Sequence, residues 1–470
     1  MMLHVRGVHY DVGHHYDVGQ GQGPASTRPH FDRAGVEADM VMIAGQLHAN
    51  AVRVTGTDLS RVAIAAGLAL EAGLTVWFSP HPGDLAGDDI VSYLAEAARM
   101  AEELRSAAGS VVMVAGCELS LFCAGYLPGP TLDDRLDSLT GASAVPGLQT
   151  SFSELPRALN TTLGQSVAAI RDHFRGPVTY ASAPWETVDW ARFDLVSADL
   201  YRDSSNAAGY RDSLRSYARF GKPVVVSEFG CCTYKGAADA GGAGFMIFDD
   251  DTQPPALKLK VTGLQRSEAE QSRYLRELYA IFDEEGIHGA FWHTFAGWTF
   301  PHRPGRQADL DLGSFGLVKV IEAPSADKEA FALEPKEAFW ALAAAYRQAR
   351  PALVLRADPR TTQTRGTQVR ARPRSRPPRL DRHLERQPPP LRVDQDRRRD
   401  PQVPPNILST FFRRSALGLF NGIVGLYTWM LLWAPGRRRP RCPRRRRRRL
   451  GRPGSPPGRP HPRPPGAPRQ

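Results

Sequence analysis

Cysteine is scarce in this chain, five residues in 470, and the one adjacent pair is Cys231 and Cys232. No pair has metal-ligand spacing and nothing suggests a disulfide framework, so reduced thiols and a cytoplasmic setting are expected. The start, MMLHVRGVHYDVGHH, lacks an apolar signal core, and secretion by a signal peptide is not expected. Lysine is absent beyond residue 350, where 30 arginines stand against six acidic residues. The net charge of +11 is therefore a property of that segment, because residues 1–350 carry 43 acidic and 30 basic side chains. An acidic body offers no electrostatic footprint for nucleic acid, and none is expected as its partner.

Residues 351–470 are dominated by Arg and Pro, a composition that buries too little apolar surface to offset its ordering entropy, so a disordered tail is expected there. Its basic runs, such as Arg444 to Arg449, fit anionic lipid or nucleic acid without sequence preference. One island interrupts it. Residues 415–434 are uncharged, flanked by arginines and long enough for a membrane helix, with an interfacial segment or out-of-frame translation of GC-rich DNA as the alternatives.

The first 350 residues alternate short apolar runs with helical patterns. Strands are expected at about residues 3–10, 51–55, 74–79, 177–182, 195–201 and 289–294, with two more in the runs that end at Glu118 and Glu228. Helices are expected at about 33–48, 59–72, 88–107, 154–174, 207–220, 267–285 and 335–348, with a short helical segment around 185–193. Ser267 and Glu270 have the spacing of a capping box, and Gly109 stands as a stop signal after the third helix. Eight strands, each followed by helical sequence, predict a (β/α)8 barrel rather than an open sheet. Two longer insertions, 124–151 and 233–263, suggest functional rim segments.

Two of the apolar runs end in an acid. GKPVVVSEFGCC carries Glu228 and SVVMVAGCELSLF carries Glu118, each where a buried strand emerges at the rim that gathers catalytic residues in such barrels. Strands four and seven lie across the mouth from each other. A pair of carboxyl groups ~5 Å apart is what hydrolysis of a glycosidic bond with retention needs. The pentapeptide HYDVG occurs at His9 to Gly13 and again at His15 to Gly19, a local duplication whose cleft-facing copy the sequence does not identify. No carboxylate or cysteine cluster accompanies these histidines in sequence, so no metal is expected. His81, after Pro80 at the rim of strand three, and Trp298 and Trp185 in rim loops are further candidates for contact with substrate.

The chain resembles the clan A type of retaining glycoside hydrolases on GCE at 116–118, SEFG at 227–230, Arg53 in NAVRV, Tyr201 in ADLY and Trp292 on strand eight. That resemblance implies Glu228 as nucleophile, Glu118 as acid/base, Arg53 and Tyr201 as hydrogen-bond donors to the nucleophile, Trp292 as the floor of the sugar site, a carbohydrate substrate, and neither metal nor organic cofactor. The run EFGCCTYKGAADAGG is also similar to actinobacterial proteins labelled abortive infection proteins. One position departs from the clan. Cys117 stands where an asparagine normally binds the sugar 2-hydroxyl, which leaves open a catalytically silent barrel serving as a carbohydrate-binding or phage-defence interaction module.

Overall fold

The computed structural model describes residues 3–16, 25–140, 148–247, 263–304, 309–322 and 331–348. The tail from 351, its island at 415–434, most of the second HYDVG copy and the middles of both rim insertions lie outside the described residues. All described residues belong to one compact unit.

Eight parallel strands close into a barrel: β1 (Val5–Asp11), β2 (Ala51–Gly56), β3 (Thr75–Pro80), β4 (Val111–Cys117), β5 (Val178–Ser182), β6 (Val196–Asp199), β7 (Val224–Phe229) and β8 (Gly289–Trp292). They pair in chain order, and β1 closes the ring by pairing β2 at Val8↔Val52 and β8 at Val8↔Trp292. All eight were expected from the sequence. Burial on both faces explains why they read as apolar runs: every residue of β2, β5, β6 and β8 is buried.

The helices form an outer ring with legible ends. Asp32 and Asp58 cap Arg33–Gly45 and Leu59–Glu71 through side-chain oxygens, and Gly109 closes Asp88–Ala108 in a left-handed conformation. Ser267 Oγ accepts from the Glu270 backbone N–H at 3.1 Å, the N-terminal half of the expected capping box. The helix expected at 154–174 starts earlier, at Leu148, and contains Pro156. Around 185–193 only a 3-10 turn forms, Trp190–Arg192. The two-stranded ladder Val318–Glu322 with Phe331–Pro335 was not expected from the sequence.

Strand alternation divides the core. Trp77, Val114, Cys117, Val225 and Phe291 belong to a small cluster that fills the barrel, while their neighbours Val76, Phe78, Ala115, Val226 and Trp292 join the larger cluster between strands and helices.

Candidate active site

Both candidate glutamates follow an irregularity in their strand. Ala198↔Val226 is followed by Asp199↔Glu228, and Ala290↔Val226 by Trp292↔Phe229, so β7 holds one residue more than either neighbour across this stretch. Regular alternation from Val225, which faces inward, would send residue 228 outward. The bulge at Ser227 restores an inward direction for Glu228. In β4 the pairs Val114↔Thr179 and Cys117↔Ala181 show the same extra residue. Gly116, at φ 95°, supplies the left-handed conformation this bulge requires.

Glu228, near the C-terminal end of β7, is 14% exposed. Arg53 Nη1 donates to its Oε1 at 3.0 Å and the Tyr201 hydroxyl donates to Oε2 at 3.0 Å. Arg53 is itself fixed by its Nε donating to Ser79 Oγ at 3.2 Å, by Nη1 donating to Ser227 O at 3.2 Å and by Asp199 at 3.6 Å. Burial opposes charge on Glu228, but His293, Arg53 and the Tyr201 hydrogen bond outweigh it and hold the carboxyl below its usual range.

Glu118, the residue after β4, adopts φ 43° and ψ 47°, a left-handed conformation that a non-glycine side chain takes at a cost of about 1–2 kcal/mol. Its backbone N–H donates to Ala181 O at 2.9 Å. Burial, with Asp199 and then Glu228 close by, pushes its carboxyl well above the usual range. Two acids at one mouth are thereby driven apart in proton affinity, Glu118 toward the protonated form and Glu228 toward the anion.

Cys117 Sγ donates to Asp199 Oδ2 at 3.3 Å and lies 3.8 Å from Glu228 Oε1. Burial and the Asp199 charge push its thiol pKa well up, so it is a donor here and not a thiolate nucleophile. The four described cysteines, including Cys231 and Cys232, are free and buried.

Asp199, Glu186 and three histidines with no assignment from the sequence complete the mouth beside His81. Asp199, at the end of β6, is buried, and burial and Glu228 raise its pKa against the pull of Arg53. Glu186 accepts from the Ala183 and Ser120 backbone N–H groups at 3.0 and 3.1 Å and from the Tyr180 hydroxyl at 2.9 Å; its position in a loop after β5 left no signal in sequence. Four histidines form a layer: the His9 and His293 rings are 4.6 Å apart, and His14 stacks on His81 at 4.3 Å. Burial is the leading cause that lowers the pKa of each below the ordinary imidazole value. The candidate His81 thus belongs to the mouth, where it also meets Phe122 edge-on.

Trp292 does not. It is fully buried, donates its indole N–H to Phe315 O at 2.9 Å and packs edge-on against Phe229 in the layer outside the barrel. The expectation that it floors a sugar site is corrected by strand alternation: Phe291 faces the interior, Trp292 faces the helices, and His293 reaches the mouth. Trp298 is half-buried; its indole donates to Asp11 O at 3.2 Å and the Arg28 guanidinium covers one ring face at 3.8 Å. Trp185 donates to Ser120 Oγ at 3.1 Å beside Glu186.

The fold and this mouth define a class: a (β/α)8 barrel with an acidic, histidine-lined site at the C-terminal ends of its strands. No protein-family model matches the chain, and no curated protein sequence does. Solved structures to which it is similar include a β-glucuronidase of Bacteroides uniformis, at 14% identity over 73% of this chain and 35% of that one, with a TM-score of 0.43. A β-glucuronidase of Parabacteroides merdae matches at 15% identity over 74% and 37%, with a TM-score of 0.40. Cel5A of Thermotoga maritima, in complex with a cellobiose substrate, matches at 12% identity over 66% and 96%, with a TM-score of 0.37. The chain spans little more than a third of the length of the two glucuronidases. Likeness at this level concerns the fold alone, and the barrel stands on its own strand pairing.

Proposed function

We propose that the barrel is a retaining glycoside hydrolase, with Glu228 as nucleophile and Glu118 as acid/base. The observation that carries this reading is the pair of 3.0 Å hydrogen bonds by which Arg53 and Tyr201 orient the Glu228 carboxylate at the mouth that Glu118 also borders. An anionic Glu228, oriented by Arg53 and Tyr201, suits attack on an anomeric carbon. A protonated Glu118 suits protonation of the departing glycosidic oxygen; once deprotonated, it serves as base for the water that releases the sugar. Each proton and each bond is accounted for by the two carboxyl groups, the sugar and one water. The candidates His81 and Trp298 line or border this mouth and are proposed contacts for a carbohydrate. The folding unit is proposed to end near residue 350, two residues beyond the helix Glu337–Gln348.

The second reading, a silent carbohydrate-binding or defence-associated module, draws on Cys117. Its thiol is committed to Asp199, so the position that would otherwise offer a sugar an amide is turned inward. A panel of aryl glycosides separates the readings: turnover in the wild type that Glu228→Gln abolishes supports the enzyme, no turnover across the panel supports the silent module, and equal turnover in both removes Glu228 as the nucleophile.

A further inference from the structure

We propose that a divalent transition-metal ion of the zinc class binds at the mouth between His9, His293 and Glu228. The three side chains come from β1, the residue after β8, and β7, and one ligand atom of each lies within 4.8 Å of the others. His293 Nδ1 is 3.4 Å from Glu228 Oε2, and His9 Nε2 is 3.8 Å from Oε1. Those separations are long for hydrogen bonds, whose N···O distances are about 2.7–3.2 Å. They suit two ligands of one ion, because metal–ligand bonds of ~2.0–2.1 Å in tetrahedral geometry place ligand atoms about 3.3 Å apart.

One of the two ligand nitrogens is also left over. His293 Nδ1 is buried and makes no hydrogen bond although it faces a carboxylate. His9 is 2% exposed and turns Nε2, rather than its unpartnered Nδ1, toward the carboxylate. Two imidazoles and a carboxylate form a donor set suited to zinc and its neighbours rather than to calcium or magnesium. Around them, Arg53 Nη1 and the Cys117 thiol donate to Oε1 and the Tyr201 hydroxyl donates to Oε2, which fixes the carboxylate. Arg53 is also 3.6 Å from Asp199, so a second carboxyl group offsets its positive charge. The sequence offered no carboxylate for the histidines, because Glu228 reaches them only through barrel closure.

Binding rests on this geometry alone. Its consequence rests on the function proposed above: an ion on Glu228 occupies the nucleophile's lone pairs, so zinc acts as an inhibitor competing with the sugar for the mouth.

The test is metal content and affinity in the full chain. Protein stripped with chelator is dialysed against Zn2+, then measured by plasma mass spectrometry and titration calorimetry, with Co2+ absorption as a readout of tetrahedral coordination. Wild type should take up an equivalent that His293→Ala and His9→Gln each weaken at least 10-fold, while His173→Ala, on the helix Leu148–His173, leaves it unchanged. Histidines and the cysteine beyond residue 350 are common to all variants. Should the buried His9→Gln change unfold the protein, the half-buried His293→Ala decides. An equivalent equally tight in wild type and His293→Ala, or no equivalent at all, overturns the site. Zinc bound with no hydrolysis by the metal-free protein would sink the hydrolase reading and leave the metal site standing; hydrolysis indifferent to zinc, with no ion bound, would do the reverse.

Discussion

Arg53 on β2 reaches across two intervening strands to place Nη1 3.0 Å from Oε1 of Glu228 on β7, 175 positions later in the chain. Arg53 is 1% exposed, so the pair belongs to the interior of the barrel rather than to its surface. A buried ion pair is a poor source of stability but a costly thing to break, because the partner left behind keeps its charge without compensation.

Arg53→Ala should therefore destabilise the fold by about 3–5 kcal/mol, since Glu228 and Asp199 both lose their cation. Urea unfolding measures it, and a loss under ~1 kcal/mol, the size of a surface pair, would show that the guanidinium is not buried as described.

Tyr201→Phe removes one hydrogen bond to a charged carboxylate and little else. A bond of this type contributes about 1.5–3 kcal/mol, so kcat on an aryl glycoside should fall roughly 10- to 150-fold. Stability should change far less than activity. Comparable losses in both would assign Tyr201 to packing rather than to Glu228.

The alkaline limb of the activity profile should belong to Glu118. Burial and its acidic neighbours raise its pKa, so it stays protonated past the ordinary range of a glutamic acid and activity declines only as that proton is lost. With substrates whose leaving group needs no protonation, Glu118→Gln should retain glycosyl transfer to Glu228 while the alkaline limb disappears. Persistence of the limb in that variant would assign it to another group.

Asp39 accepts from the Tyr10 hydroxyl at 2.6 Å, and burial raises its pKa from 3.8 to about 6, against that hydrogen bond and Arg28. The folded state then holds a proton that the unfolded state releases at lower pH. Its contribution is present below the unfolded value and lost as pH rises toward the folded one, a change on the order of 3 kcal/mol over two units. Unfolding free energies at pH 4.5 and 7.5 should fall more steeply in wild type than in Asp39→Asn. Identical pH dependence would remove Asp39 as the source.

Truncation after Ala352 should leave the melting temperature and any hydrolysis unchanged. Insoluble protein from that truncation would move the boundary of the barrel into the tail.

Much of this architecture was legible because buried parallel strands read as apolar runs, and Ser267 and Gly109 mark helix ends by chemistry that is local in sequence. The placement of Glu118 and Glu228 at strand ends was legible for the same reason. What was not legible depends on register. Trp292 looked available until alternation around Phe291 turned it outward, and the bulge at Ser227 that re-aims Glu228 has no glycine to announce it; only Gly116 offers such a mark in β4. His9, His14 and His293 come from opposite ends of the barrel sequence, so their layer exists only after β1 and β8 pair. Asp199 carries no local signal, because Arg53 and Glu228 reach it only after the barrel closes.

The most direct measurement is peptide mass mapping after the protein is held with an activated fluoro-sugar aryl glycoside, chosen from those that the wild type hydrolyses. If Glu228 is the nucleophile, one glycosyl unit accumulates as an ester on the peptide containing Glu228 and is absent from Glu228→Gln. A label on another residue, or hydrolysis with inversion and no labelled peptide, would contradict the account.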